Sequence, residues 1–331
     1  MTPEGKREPR LGYSMVESVP SGPTITICTL WEKDFHKGVG TLINSLVRVG
    51  FRGKVWVGYR GDLPSWSAGG VASGDRYTVS AGNCVEVIFV DLPTTIHFAQ
   101  YKALWMMRVF TELDPEASGI YYFDPDIFVL GQWSFFEQWI EYGIAVCEDG
   151  SYPINSTHPL VRGWQAYAIK LGYSDWNFVG TQFNSGIVGI ARAFQGFLPL
   201  WQVIMDSVRR DFKITESLKT SRRTDLFYAT DQDALTLATC VSPYPVSWVG
   251  PDGMAFERGE WLTVHAYSPK PWRRRVLRDL LVDGHKPDSA LRLYWDLAGK
   301  PLKVEPTARI KSHRWLIPLA ALLSRFYRRS G

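Results

Sequence analysis

Long apolar runs are missing from this 331-residue chain: no stretch reaches the 18 or more consecutive apolar residues that a membrane span requires. A transmembrane protein is therefore not expected. Cysteine is scarce as well. The four present, Cys28, Cys84, Cys147 and Cys240, lie far apart with no Cys-x-x-Cys spacing, which argues against a disulfide framework or a zinc site and for reduced thiols in the cytosol. Residues 1–23 are polar and rich in Pro and Gly without an apolar core, so the expectation is a flexible tail rather than a signal or transit peptide. Excess charge is small: 37 Lys and Arg stand against 33 Asp and Glu, a net +4, which excludes a dedicated nucleic-acid binder. Internal repeats are absent, excluding a solenoid.

Aromatic residues, by contrast, are abundant: 17 Phe, 15 Tyr and 14 Trp make up 14% of the chain. Such an excess fits a sugar-binding face, a membrane surface or a Trp-rich core. The order of elements is more decisive. β-branched runs at 24–29, 54–59 and 85–90 read as strands. Between and after them lie helical patterns at 39–49 and about 99–113, with a long Gly/Ser/Pro loop over 60–83. An apolar, aromatic segment then spans 119–130. Strands alternating with helices predict an α/β fold with a doubly wound, Rossmann-like mixed sheet. Beyond it come a short helix at 134–142, strands at 144–147 and 183–190, and an irregular insertion over 148–182 with a helix near 159–171. Helices are expected at about 194–210, from Asp231, at 271–282 and at 289–297, with strands or turns near Val246 and Leu262.

Several residues are placed to do chemistry. Asp124 and Asp126, with Pro125 between them, follow the strand Ile120 to Phe123, and ligands in open α/β sheets bind beyond the carboxyl ends of strands. Two carboxylates there suit Mg²⁺ or Mn²⁺ with a diphosphate. With 19 aspartates in the chain about one Asp-x-Asp arises by chance, and a second occurs at Asp231 and Asp233, so position must decide between them. A turn at a strand end is the structural alternative. His265 closes the apolar run from Leu262 and precedes Lys270, which lies between Pro269 and Pro271; together they can offer one metal ligand and one cation for phosphate. Gly186, just after Asn184 at the start of a hydrophobic strand, signals a close approach to the backbone.

Taken in order, Phe35 to Gly38 after the first strand, Asp124 and Asp126, Phe183 to Gly186, Asp231 to Asp233, and His265 with Lys270 to Trp272 resemble family 8 glycosyltransferases of the GT-A fold. That group contains glycogenin and bacterial lipooligosaccharide galactosyltransferases, and the resemblance spans roughly 24–275. It implies that Asp124, Asp126 and His265 hold a divalent metal, usually Mn²⁺, that Lys270 binds the diphosphate of a nucleotide sugar, and that Lys102 touches the donor. By the same resemblance Asn184, Gln232 and Asp231 face the donor sugar, Gln232 nearest the anomeric carbon, with Asp149 a partner for its hydroxyls. Leu30, Trp31 and Glu32 replace the small and polar residues that meet base and ribose in the family, and Phe35 replaces a Tyr; UDP remains the favoured nucleotide.

The implied activity is transfer of a hexose from a nucleotide sugar to a glycan or glycolipid acceptor with retention of configuration, in cell-surface polysaccharide or lipopolysaccharide synthesis. A haloacid-dehalogenase-type phosphatase with Asp124 as nucleophile is a rival, and a non-catalytic carbohydrate-binding protein is another. The expected organisation is the tail at 1–23, a catalytic domain at 24–282 (nucleotide-binding half 24–130, acceptor and donor-sugar half 131–282), and a helical C-terminal part at 283–331. Trp164, Tyr167, Tyr173 and Trp176 in the insertion suit either packing or acceptor binding. Residues 313–329 mix Arg314, Arg325, Arg328 and Arg329 with Trp315, Leu316, Leu319, Leu322, Leu323 and Phe326, a composition suited to an anionic membrane surface. Five basic and no acidic residues lie at 311–331, so the remaining chain carries a net charge of −1. A cytoplasmic protein peripheral to the membrane is expected.

Overall fold

Strands that must be apolar on both faces are the signature of a sheet covered by helices on each side, and β1 (Ile25–Glu32) is such a strand. Ile25, Ile27 and Trp31 enter one core, while Cys28 and Leu30 enter the other. The same period of two divides β2 (Gly53–Arg60), with Val55 and Val57 against Trp56, and β6 (Gly119–Phe123), with Tyr121 and Phe123 against Ile120 and Tyr122. The computed structural model describes residues 24–150, 154–214, 219–220, 222–257, 259–267 and 269–326. The sequence-predicted tail at 1–23 and Arg328 and Arg329 lie outside them.

The expected mixed α/β sheet is present, with nine strands among the described residues. Its middle is parallel: β6, β1, β2 and β5 (Val85–Asp91) lie side by side in that order. Beyond β6, the antiparallel β9 (Phe183–Ala191) leads to β8 (Ile144–Glu148) and to β10 (Val246–Val249) at the edge. The opposite edge corrects the sequence reading. Residues 60–83 are not a long loop: β3 (Val71–Ser73) and β4 (Arg76–Ala81) form a hairpin antiparallel to β5. Its exposed strand β3 has no buried side to supply an apolar alternation. In the aromatic segment 119–130 the first strand ends at Phe123, as expected. The segment breaks at Asp124, and β7 (Ile127–Val129) leaves to pair antiparallel with β11 (Thr263–His265) in a separate two-stranded sheet.

Helix α1 (His36–Arg48) covers one face with Val39, Leu42, Ile43 and Leu46. Helix α2 (Phe98–Arg108), extended by a π-helical turn at Val109–Leu113, covers the other. Much of the aromatic excess is core. Tyr121 meets Trp133, Phe136 and Trp139 of α3 (Trp133–Trp139) at ring-centroid distances of 5.6–6.4 Å. In the insertion, Trp164 on α4 (Pro159–Lys170) is fully buried and donates to the Leu226 carbonyl at 2.6 Å, and Tyr167 beside it is nearly so. These two serve packing. Helices α5 (Phe197–Phe212) and α6 (Thr230–Val241) complete that face.

The predicted helix at 271–282 is a 3₁₀ turn, Pro271–Arg273, followed by α7 (Val276–Leu281), the two separated at the extended Arg274. Helix α8 (Ser289–Leu297) precedes α9 (Thr307–Leu323), which begins six residues before the basic-aromatic segment at 313. No described helix is long and apolar enough to cross a membrane. Buried Asn44 of α1 ties this C-terminal part down. Its amide donates to the carbonyls of Leu297 and Leu302 at 2.7 and 2.8 Å, and its oxygen accepts from the Leu302 N–H at 2.8 Å. Asn44→Ala strands two carbonyls and one N–H, and we expect about 2–4 kcal/mol less stability in urea unfolding. A separate early transition, with the main one unchanged, would mean that α8 and α9 fold independently of α1.

Candidate active site

At the carboxyl end of β6 and the amino end of its antiparallel neighbour β9 the chain opens into a cleft of about 730 Å³. The break after Phe123 creates its floor. The Asp124 N–H donates to the Gly186 carbonyl at 2.8 Å and closes the turn with the Ile127 N–H on its own carbonyl at 3.1 Å, so both aspartates project from a fixed bend. Two glycines permit the approach. A Cβ on Gly38 would stand 2.1 Å from the Pro125 carbonyl, and one on Gly186 would stand 3.1 Å from an Asp124 oxygen. The close approach expected at Gly186 is therefore real.

Asp124, Asp126 and His265 converge, each offering a ligand atom within 4.8 Å of the others. His265 reaches this corner because β11 pairs with β7, setting His265 opposite Ile127. Its Nε2 lies 3.4 Å from an Asp126 oxygen. Adjacent ligands of an octahedral ion at 2.0–2.1 Å stand roughly 3 Å apart, so the pair fits a shared Mg²⁺ or Mn²⁺ and the N/O donor set suits either. Lys270 also bonds Asp126, and its ammonium donates to the Ala266 and Tyr267 carbonyls at 2.9 and 2.8 Å. Burial alone would push the Asp126 carboxyl up, but His265 and then Lys270 hold it well below the ordinary carboxylate range.

Behind the turn, Lys102 is 3% exposed. Its ammonium lies 3.0 Å from Asp124, 3.1 Å from Asp231 and 3.0 Å from the Ser185 hydroxyl. Desolvation would lower its pKa, yet Asp124 and then Asp231 raise it above the usual lysine value. Tyr122 donates to the same Asp124 oxygen, Oδ1, at 2.9 Å, and Lys102 also reaches Oδ2 at 3.2 Å. A second cluster adjoins. Asp149 accepts from Asn184 at 3.2 Å and from Gln232 at 2.6 Å, and Asn184 also donates to the Gln232 oxygen at 3.1 Å. A register shift in the β8–β9 ladder pairs Cys147 with Asn184 but Val146 with Val188. The resulting bulge lets neighbouring Asn184 and Ser185 both serve the site, which strict alternation would forbid.

All the sequence-predicted site residues meet here. Asp124, Asp126, His265, Lys270, Lys102, Phe35, Asp149, Asp231 and Gln232 line the cleft, while Asn184, 3% exposed, stands behind Asp149 and Gln232. Phe35 lies edge-on to Trp272 with ring centroids 5.5 Å apart, and the Lys270 ammonium is 5.5 Å from its ring. Leu30, Trp31 and Glu32 line the cleft too; Trp31 stacks on Tyr59 at 5.7 Å, and Glu32 pairs with Arg60 at 3.0 Å. Sequence reasoning missed Ser185 and Tyr122, both partners of the buried charges, although each adjoins a motif already noted. It also missed Lys219, Arg223, Tyr228 and Tyr267 on the cleft wall. No sequence signal marks that group, because the fold alone brings Lys219 to Tyr267, its ammonium 3.2 Å from the hydroxyl.

No protein-family profile and no curated protein matches the sequence. Among solved structures, the chain is similar to the glycosyltransferase GlyE of Streptococcus pneumoniae TIGR4, with TM-score 0.48 and 12% identity over 90% of this chain and 64% of that one. It is also similar to the bifunctional glycosyltransferase WbbM, with TM-score 0.47 and 10% identity over 89% of this chain and 52% of that one. The chain thus spans less than two thirds of the length of either protein.

The Lys102 network carries a testable consequence. Because the folded lysine pKa is raised, its stabilisation is fully present below the ordinary lysine range and fades only as pH rises through the folded value. Lys102→Met leaves Asp124 and Asp231 buried without their cation, and about 3–5 kcal/mol of stability should be lost at pH 7. That deficit should shrink toward pH 4, where the stranded carboxylates take up protons. Urea midpoints measured at both pH values check it; an equal deficit at both would show that packing, not charge, is what the lysine supplies.

Proposed function

We propose that this protein is a metal-dependent glycosyltransferase. It moves a hexose from a nucleotide sugar, UDP-linked by preference, to a glycan or glycolipid acceptor in cell-surface polysaccharide or lipopolysaccharide synthesis. The observation that carries this reading is the convergence of Asp124, Asp126 and His265 beside the Asp149–Asn184–Gln232 cluster in one cleft. A cleft of about 730 Å³ lies within the range of small-molecule sites and has room for a nucleotide and a hexose.

Asp124, Asp126 and His265 would hold Mn²⁺ or Mg²⁺, which supplies Lewis-acid neutralisation of the leaving diphosphate when bound. Lys270 stands at the same corner and adds a positive charge, whose Asp126 contact a phosphate oxygen would replace. Cation placement where negative charge develops lowers the barrier to departure. Asp149, Asn184 and Gln232 present a carboxylate and two carboxamides at hydroxyl spacing, a set that orients a hexose. Asp231 stays bound to Lys102 and Ser185, and Asp149 to Asn184 and Gln232, so both carboxylates near the sugar position are already engaged. That supports retention by attack on the face the leaving group vacates, without a covalent intermediate. Both Asp124 oxygens are likewise engaged, by Tyr122 and Lys102, which disfavours its use as a phosphatase nucleophile. The exposed aromatic and basic residues of α9 and its continuation support a position on an anionic, cytoplasmic membrane face through 313–329, of which 327–329 lie outside the described residues.

Turnover of UDP-, GDP- and dTDP-hexoses with Mn²⁺ tests the reading. The wild type should consume one of them and stop on addition of EDTA, and Asp126→Ala should be at least about 100-fold slower. Equal rates in wild type and variant would sink the metal assignment. A phosphorylated Asp124 would instead establish the phosphatase, and glycan binding indifferent to EDTA and nucleotide without turnover would establish a binding protein.

A further inference from the structure

Helix α9 and the turn after it present two parallel stripes. Trp315, Leu319, Leu322 and Phe326 recur at helical spacing and are 82, 46, 50 and 80% exposed. Beside them, Arg314, Pro318, Ala321 and Arg325 form a second stripe. With Ile317, this stripe lines a cavity of about 470 Å³ whose other wall is Arg292, Trp295 and Asp296 of α8. The cavity shares no residue with the catalytic cleft.

Its chemistry is divided between floor and rim. Trp295 and Ile317 are almost completely buried and make the floor apolar. The rim is cationic. Arg314 leans on Asp296 at 3.8 Å with both side chains more than half exposed, while Arg292 and Arg325 have no acidic partner among the described residues. Three guanidinium groups against one carboxylate leave two positive charges above an apolar floor. Pro318 has no N–H to give the Arg314 carbonyl, so that oxygen loses its α-helical donor on the same wall.

A guanidinium fork matches phosphate, but a free phosphate would have no use for the apolar floor. An amphiphile uses both, and the exposed Trp–Leu–Leu–Phe stripe runs along the rim, as needed if the rim sits at the headgroup level of a bilayer. We infer that this cavity seats the phosphate headgroup of one anionic phospholipid, with the first methylenes of its acyl chain on Ile317, Ala321 and Leu322. The inference rests on the membrane-facing reading of α9 and replaces diffuse attraction by a stoichiometric site.

Dihexanoyl phosphatidylglycerol, titrated below its micelle concentration and followed by calorimetry, reads the site apart from the membrane. We expect saturable one-to-one binding by the full chain, weakened at least about tenfold in Arg292→Gln/Arg325→Gln. Trp315→Ser/Phe326→Ser, which alters exposed side chains only, should keep that binding yet lose co-sedimentation with phosphatidylcholine–phosphatidylglycerol vesicles. The site is overturned if the soluble lipid does not saturate, if the arginine variant binds it equally, or if inorganic phosphate binds as tightly as the lipid. Vesicle binding without soluble-lipid binding would remove the cavity and keep the membrane reading. Soluble-lipid binding without vesicle binding would do the reverse, and absence of both would remove both.

Discussion

A lysine ammonium removed from water must be surrounded by anions or hydrogen-bond acceptors, or it will not stay charged. Lys102 meets that demand with Asp124 from the end of β6, Asp231 from the first turn of α6 and Ser185 from the start of β9. Three segments far apart in the chain are thereby pinned to one point. The geometry of the cleft follows from it. With Asp124 oriented by Lys102 and Tyr122, the bend through Pro125 has one direction left for Asp126, toward His265 and Lys270.

The two Asp-x-Asp pairs show how place decides chemistry. Asp124 and Asp126 follow a strand and reach the cleft. In the second pair, Asp231 and Asp233 begin a helix, and their roles part: Asp231 completes the Lys102 cage, whereas Asp233 is buried against Gln182 and the Ala229 N–H. Burial pushes the Asp233 carboxyl well above its ordinary range. A protonated acid there can share hydrogen bonds at little electrostatic cost. One pair serves a site and the other braces it.

The C-terminal part follows a related economy. Glu305, almost fully buried, takes Lys37 at 3.0 Å, Tyr294 at 2.9 Å and Arg309 at 2.9 Å, linking α1, α8 and α9. Paired charge fastens the inner side of α9, so the helix can leave Trp315 and the hydrophobic residues after it in solvent without loosening. The mild net charge of the chain therefore conceals a local arrangement, with neutralised cations facing inward and, at the outer rim, Arg292 and Arg325 without an acidic partner among the described residues.

The residues by themselves determined the α/β alternation, because strands buried on both faces are apolar over most of their length and so stand out from the amphipathic helices between them. They also determined the candidate ligands, since Asp124, Asp126, His265 and Lys270 stand at strand ends or beside prolines that leave a recognisable mark. The tertiary structure decided what distance in the chain conceals. The β3–β4 hairpin lies at an exposed edge, where burial imposes no pattern. Pairing of β7 with β11 brings His265 to the aspartates, and a one-strand bulge turns Asn184 and Ser185 to the same side. The aromatic excess carried one meaning in composition and several in space: Tyr121 and Trp164 are core, Phe35 is cleft wall, and Trp315 faces solvent. Side-chain type is a local property, whereas burial belongs to whatever packs against it.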